Sequence, residues 1–427
     1  MEVPGIPEAL AAALAEAARG GVAAGDGPGD RVGAGHPASR LALVGGAVRD
    51  LLLHRVHNDP WRGVPDLDLV AEGSAIALVR RLEALLPPGS LRTAQEHGAF
   101  GTVEVELGLN NETVLLDVAT ARRETYPQPG ENPKVVPGLL ADDLARRDFS
   151  INAIALDLAS GELIDPHGGQ TDLQRRQLRL LHPHSLRDDP TRLVRGARYA
   201  ARLGFQLEAA SREQARRTLA AWPWAWHSGE RPGQAPAALG TRLRMEFELL
   251  LRREPWPAAL AILQDWGGLA LLDAQLQAND SWRRRLRWAE RAGLPLLVAL
   301  VAGAAEPLAL AERLQLPHRQ HRLLAQWLAL RSALVVQAAS GASTAPQSVA
   351  AWCALLEAPG VSAEAVALAL VMGSGPRRPL LRWWLRWRGL QAPVGARELI
   401  ARGLAPGPEL GARLHQLRQE RLGRETL

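Results

Sequence analysis

The chain has 427 residues and a formal net charge of +5, and 47% of it is hydrophobic, so roughly two to four packed domains are expected and a disordered chain is excluded. The positive excess rests on arginine, Lys134 being the one lysine, which favours phosphate-rich partners. Cys353 stands alone, which excludes intrachain disulfides and cysteine-based zinc sites.

No apolar run reaches membrane-spanning length, and the N-terminus lacks the basic start and apolar core of a signal peptide. A cytoplasmic protein without membrane contact is therefore expected. Residues 1–40 open with an Ala-rich, helix-compatible piece and continue as GGVAAGDGPGDRVGAGHPAS, a segment expected to be flexible. LALV then reads as a buried strand, Gly45-Gly46 as a tight break and AVRDLLL as the start of a helix. A strand, a glycine turn and a helix N-terminus present backbone N–H groups to an anion. In DLDLV, Asp66 and Asp68 flank Leu67. Strand alternation sends both carboxylates to one face, about 7 Å apart, a pair that suits Mg²⁺ with substrate phosphate completing its shell.

From Leu41 to about Pro166 short apolar runs alternate with helical patterns: DLDLV, AIALVRRLEALL, GTVEVEL, TVLLDVAT and INAIALDL. This predicts a compact α/β unit around one sheet. Asp117, in TVLLDVAT, supplies a third carboxylate if its strand neighbours that of Asp68. Next, in LARRDFSINAIAL, Arg146, Arg147 and Asp148 precede an apolar run. Arginines there pair either with a nucleoside triphosphate or with Asp142 or Asp143. Asn152, four residues after Asp148, can share a face with it.

Beyond Leu173 the strand patterns end and helical spacing continues to the C-terminus. Asp189-Pro190 in LRDDPTRLVRGARYAARLGF marks a helix start. In that helix Arg192, Arg195, Arg198 and Arg202 fall within an arc of about 120°, opposite Leu193, Val194 and Ala197. After the carboxylate pair and the RRD segment, this arginine face is read as facing phosphate. Leu239, Leu243, Phe247 and Leu250 make a helical stripe expected to pack in a core. Loops near 227–237, 337–347 and 372–379 divide the helical part.

GGAVRDLLL, DLDLV, RRDFSINAIALD, IDPHGG and DDPTRLVRGARYAARLGF, in that order, resemble the class II nucleotidyltransferases, a family of tRNA nucleotidyltransferases (CCA-adding enzymes) and bacterial poly(A) polymerases. The resemblance runs from about Leu41 to Leu276. ELIARGLAPGPELGARLHQL, residues 398–417, is similar to the tail of the tRNA enzymes, with Pro406, Gly407, Pro408 and Gly411 matching, and favours them over poly(A) polymerases.

The resemblance implies a nucleotidyltransferase head of polymerase-beta type followed by an all-α neck, body and tail. Its division is 1–40 extension, 41–166 head, 167–255 neck with base- and RNA-binding helices, 256–340 body and 341–427 tRNA-binding tail. It implies that Asp66 and Asp68 hold Mg²⁺, with Asp117 beside them, and that Gly45, Gly46, Arg49, Arg147 and Arg195 hold the triphosphate. Asp148 would meet the ribose 2′ hydroxyl, with Asn152 and Arg198 also at the nucleotide, and Asp189 and Arg192 would read the base. A carboxylate acceptor beside a guanidinium donor matches the amino group and ring nitrogen of cytosine or adenine and rejects guanine and uracil. The family carries Glu-Asp at that site, and here Asp188 replaces the Glu.

The expected substrates are tRNA, CTP and ATP, and the expected product is a CCA end or its terminal A. CC-only members of the family have a shortened loop between the sheet and the RRD segment. Here TARRETYPQPGENPKVVPG fills that gap. A poly(A) polymerase, a CC-only enzyme, a catalytically silent RNA-binding protein and a small-molecule nucleotidyltransferase remain the alternatives. The sequence leaves the oligomeric state open. It reads the Trp-rich stretch LLRWWLRWRGL, residues 380–390, as helix core in preference to a base-stacking platform.

Overall fold

The structure is a computed structural model that describes residues 3–20, 40–63, 66–98, 101–110, 112–339 and 348–426. The chain forms two compact units. The first comprises Met1–Ala225, Pro236–Ala238 and Glu254–Gly267, and the second Trp226–Ala235, Leu239–Arg253 and Gly268–Leu427.

The Ala-rich start of the first unit is helix α1 (Glu8–Arg19), which buries Leu10, Ala13, Leu14 and Ala17. The glycine-rich residues 21–39 lie outside the described residues. There follow β1 (Leu41–Val44), α2 (Gly46–Arg55), β2 (Leu67–Ala71), α3 (Ala75–Leu85), β3 (Leu91–His97), β4 (Thr102–Leu109) and β5 (Glu112–Thr120). Next come β6 (Arg122–Thr125), β7 (Lys134–Pro137), α4 (Leu140–Ala145), β8 (Ala155–Asp157), β9 (Leu163–Ile164), α5 (Gly169–Gln174), α6 (Ser185–Asp188) and α7 (Thr191–Leu203). Seven strands form one mixed sheet in the order β3-β4-β5-β2-β1-β8-β9. Within it β2 runs parallel to β5, while β1 is antiparallel to both β2 and β8.

Alternation sets the faces of this sheet. On β4 and β5 the buried set is Val103, Val105, Leu107, Val114, Leu116 and Val118, and α3 packs against β2, β4 and β5. Asp68, Asp117 and Glu104 project from the other face. LALV is buried at every position, as expected of a strand with both edges paired.

Four features differ from the sequence expectation. Beyond Leu173, where strands were expected to end, Gln177–Leu178 and Gln206–Leu207 form a short parallel pair, too brief to carry an apolar pattern of its own. Strand β3, LRTAQEH, is a largely exposed edge strand, with no apolar alternation to announce it. The stretch read as a loop contains the antiparallel pair β6 and β7. INAIALDL becomes strand only at Ala155–Asp157, after a 3₁₀ turn over Ser150–Asn152. There the Asp148 carboxylate accepts from the Phe149 N–H at 2.8 Å, a local bond that competes with a ladder, and the Ser150 hydroxyl donates to Asp172 at 2.5 Å.

The second unit is helical throughout its described residues. Leu239, Leu243, Phe247 and Leu250 are fully buried, and Trp282, Trp327 and Trp387 are core residues. Buried Arg313 donates to the carbonyls of Leu271 and Leu272 at 2.9 and 2.8 Å, supplying partners that the end of a helical turn lacks. In the Trp-rich segment Trp383 and Trp387 are buried and Arg388 lies 3.8 Å over Trp384, so its first role is packing. Part of the loop near 337–347 lies outside the described residues.

Candidate active site

The parallel register of β2 and β5 sets Asp68 directly opposite Asp117, and the antiparallel register of β5 and β4 sets Asp117 opposite Glu104. A row of acids thus crosses the polar face of the sheet. Burial pushes the Asp68 carboxyl up to about 6, with Asp117 and Asp66 adding to the effect and Arg147 and Arg49 opposing it. Asp117 is also raised, by burial and then by Glu104 and Asp66. No group of three or more His, Cys, Asp or Glu forms a ready-made metal cage among the described residues. Even so, a half-buried carboxylate whose charge is opposed by burial and two acidic neighbours is a fit place for a divalent cation.

Behind Asp68 lies the glycine turn. Gly45 has φ +70°, and a Cβ there would fall 2.7 Å from Asp68 Oδ2 and 3.1 Å from Arg147 Nη1. A side chain is therefore excluded both by backbone conformation and by space. Gly46 opens α2, whose first turn has no acid, so its N–H groups and positive dipole end are available to an anion. Arg147 donates to Asp143 Oδ2 through Nε and Nη2, at 3.2 and 3.0 Å. Arg146 grips the other oxygen of Asp143 at 2.6 Å and Glu124 at 3.1 Å. Burial pushes the Asp143 carboxyl up, but Arg147 and Arg146 together outweigh it and hold the group below its ordinary value. The RRD arginines thus pair with Asp143, one of the two structural partners expected. Asp142 instead caps α4, accepting from the Leu139 N–H at 2.9 Å.

Asp148 and Asn152 share one side of the 3₁₀ turn. The Asn152 amide donates to Asp148 Oδ1 at 3.1 Å, and Arg49 Nη1 donates to Asn152 Oδ1 at 2.9 Å. Buried Arg49 is also paired with Asp50 at 2.8 Å and stacked 5.3 Å over Tyr199, which ties α2 to this turn and to α7. Gly196 on α7 admits Phe149, since a Cβ there would be 2.7 Å from its ring. That close approach docks the RRD segment on α7. Arg195 then reaches Asp148 Oδ2 at 3.2 Å and Asp189 Oδ2 at 3.5 Å.

Asp189 is 3% exposed and Arg192 2%. Asp189 Oδ1 accepts from the Thr191 N–H at 3.0 Å and the Thr191 hydroxyl at 2.6 Å, so the residue does cap α7, although the helix itself begins at Thr191. Arg192 donates to Ser185 Oγ at 2.6 Å and to the Arg146 carbonyl at 2.9 Å, with His182 Nε2 3.3 Å away. The structure therefore brings Asp148, Asn152, Asp189, Arg192 and Arg195 together. Arg198, together with Arg202, pairs with buried Glu254, which fastens α7 to the helix Trp256–Asp265.

Sequence reasoning passed over Glu124 and Tyr126. The Tyr126 hydroxyl donates to Glu124 at 2.9 Å. Burial, then the Glu124 charge, pushes that hydroxyl up to about 12, with Arg192 opposing and Asp189 adding, so Tyr126 lies within electrostatic reach of the base-reading candidates. Its only signal was a lone aromatic in a stretch read as a loop.

The poly A polymerase head-domain family model matches residues 41–179. The CC-adding tRNA nucleotidyltransferase of Deinococcus radiodurans is 34% identical over 408 residues, covering 89% of this chain and 84% of that protein. The chain belongs to the tRNA nucleotidyltransferase family. Like its relatives it is an enzyme of the nucleotidyltransferase class. An A-adding tRNA nucleotidyltransferase of Aquifex aeolicus is 43% identical over 178 residues, covering 39% of this chain and 19% of that one. Among solved structures, a CCA-adding enzyme in apo form II superposes with a TM-score of 0.69 at 23% identity, covering 99% of this chain and 94% of that chain. The Thermotoga maritima CCA-adding enzyme complexed with tRNA gives 0.61 at 23% identity, over 91% and 88%. These likenesses establish the nucleotidyltransferase head and the helical part that follows it as the fold of this family member.

Proposed function

We propose that this tRNA nucleotidyltransferase adds nucleotides to the 3′ end of tRNA from CTP and ATP without a nucleic-acid template, completing CCA or its terminal A. The observation that carries the reading is Arg195, which holds Asp148 and Asp189 on one guanidinium. A residue suited to the sugar and a residue suited to the base are thereby fixed in one frame.

Asp66 and Asp68, with Asp117 beside them, would hold Mg²⁺, which when bound lowers the pKa of the RNA 3′ hydroxyl and neutralises charge on the triphosphate. The N–H groups at Gly45 and Gly46 and the guanidinium of Arg147 bind and orient the phosphates. Asp148 accepts from the ribose 2′ hydroxyl, and its bonds to Asn152 and Phe149 keep its orientation fixed. Asp189 accepts from the exocyclic amino group of C or A while Arg192 donates to the adjacent ring nitrogen. Uracil and guanine present a carbonyl and an N–H there, leaving both protein groups mispaired. A cytoplasmic location fits a chain in which no described helix is long and apolar enough to cross a membrane.

A CC-only activity is the second reading, favoured because the D. radiodurans CC-adding relative matches along most of both chains. Against it, a segment fills the gap between the sheet and the RRD residues and forms the β6/β7 pair. Sequencing the products on tRNAs ending before the CCA, after the first C and after the second C tests the proposal. Addition of A to the last of these supports it, and products that stop at CC establish the second reading.

A further inference from the structure

We propose that the ring of Trp288 and the arginines around it form a second RNA-contact surface, one that stacks an unpaired base and holds its flanking phosphates. The inference rests on tRNA being the substrate, as proposed above. The helix Trp282–Arg291 buries Trp282, Leu286 and Ala289. At 100° per residue, Arg284, Arg287, Trp288 and Arg291 then share an arc of about 100° on the opposite side. Trp288 is 43% exposed. Arg291 of the same helix lies 5.2 Å from its ring, and Arg377, from the first turn of the helix Arg377–Leu385, lies 5.7 Å away. The helix Ala363–Met372 packs against both and holds them side by side.

Three features set this face apart from an ordinary solvated one. Arg284, Arg287, Arg291, Arg377 and Arg378 form no ion pair among the described residues, whereas Arg283 pairs with Asp280 and Arg386 with Glu425 nearby. Like charges at three- and four-residue spacing weaken a helix, so the cluster opposes folding unless an external anion meets it. Second, Arg283, Arg284 and Arg285 stand at the start of one helix and Arg377 and Arg378 at the start of the other, with no acid in either first turn. That is the wrong sign for the helix dipole. Third, the core takes Trp282, Trp327 and Trp387 almost completely, while Trp288 is kept 43% exposed at the surface with two guanidinium groups near its ring.

A polyanion matches the arginines and a flat aromatic ligand matches the ring. Unpaired RNA nucleotides supply both, with every base able to stack and every phosphate able to pair. An acidic protein would satisfy only the charges.

The test is the Kd of the full chain for tRNA lacking its CCA end, measured over a range of salt concentrations, with heparin as a polyanion without bases. Trp288→Ala should raise the Kd for tRNA by roughly 5- to 150-fold, leave the salt slope unchanged and leave heparin binding as it was. Trp288→Phe should keep most of the affinity, which separates stacking from a general loss of fold. Arg287→Ala should lower the salt slope by about 1. Equal tRNA affinity for Trp288→Ala and wild type would overturn the proposal, as would equal losses for tRNA and heparin. Self-association of the wild type that Trp288→Ala abolishes would also overturn it, by assigning the ring to a second copy of the chain. A wild type that binds tRNA in a Trp288-dependent way yet adds no nucleotide leaves this surface standing and removes the proposed reaction.

Discussion

Asp68 and Asp117 are register partners on the parallel strands β2 and β5, so two acids far apart in sequence stand side by side on the polar face of one sheet. Burial acts first on Asp68, and the charges of Asp117 and Asp66 add to it. Replacing Asp68 by Asn keeps the shape and removes the charge. The expected result is loss of nucleotide addition by roughly a thousand-fold or more, with tRNA affinity within a few-fold of wild type. Rates in Mg²⁺ together with a binding titration check both halves. Near-normal turnover would take Asp68 out of the metal-holding set.

Asp148 makes a different prediction, about the sugar. One of its oxygens serves the Phe149 N–H and Asn152, and the other faces Arg195. Asp148→Ala should narrow the preference for CTP over dCTP by about ten-fold, the effect of roughly one hydrogen bond to a charged group. Paired kcat/KM values for the two nucleotides measure it. An unchanged ratio would reduce Asp148 to a structural partner of Arg195.

Asp189 serves both as a cap and as a candidate base reader, and Asp189→Asn separates the two roles. The Thr191 N–H and hydroxyl can still be accepted by Asn, since asparagine caps as well as aspartate, so the fold should hold. Selectivity should not: the amide can turn its donor to the uracil carbonyl. UTP incorporation relative to CTP should rise roughly 5- to 150-fold, corresponding to about 1–3 kcal/mol. Arg192→Ala should weaken exclusion of UTP and GTP at the same step. Wild-type selectivity in both variants would return base choice to other residues.

The Asp143 pair gives a pH prediction. Although burial opposes its charge, Arg147 and Arg146 hold Asp143 below its ordinary value, so its charge contributes stability above the unfolded-state value near 4. That stability is lost as pH falls through the lower folded value. Asp143→Ala should therefore cost about 3–5 kcal/mol at pH 7, by leaving two arginines without their buried partner. The gap to wild type should stay constant down to about pH 5 and shrink below pH 4. Urea unfolding at several pH values gives the gap directly. A gap that widened toward low pH would mean that the folded Asp143 carboxyl lies above its unfolded value.

Much of this site was legible because its chemistry is local. Gly45-Gly46, Asp66-Leu67-Asp68, Arg147-Asp148 and Asp189 to Arg192 each read as a short segment, and alternation alone placed Asp68 on the polar face. Adjacency was not legible: nothing in TVLLDVAT says that β5 lies beside β2, which is a long-range register choice. The helical arc grouped Arg198 with Arg195, since periodicity reports which side of a helix a residue occupies and not what that side meets. Glu254, distant in sequence, takes Arg198 and Arg202, while Asp148 and Asp189 take Arg195. The β3 edge and the β6/β7 pair escaped because exposed strands carry little apolar pattern. Trp288 escaped because a tryptophan in a helical run reads as core, and only the burial of Trp282, Leu286 and Ala289 shows it on the opposite side.

The most direct measurement is incorporation of labelled CTP and ATP into tRNA lacking its 3′ CCA, with UTP and GTP as controls and Mg²⁺ present. The wild type should extend the tRNA with C and A, leave U and G out, and lose the activity when Asp66 or Asp68 is replaced by Ala. Absence of C and A incorporation by the folded wild-type protein, or extension that accepts all four nucleotides alike, would contradict the proposed reaction.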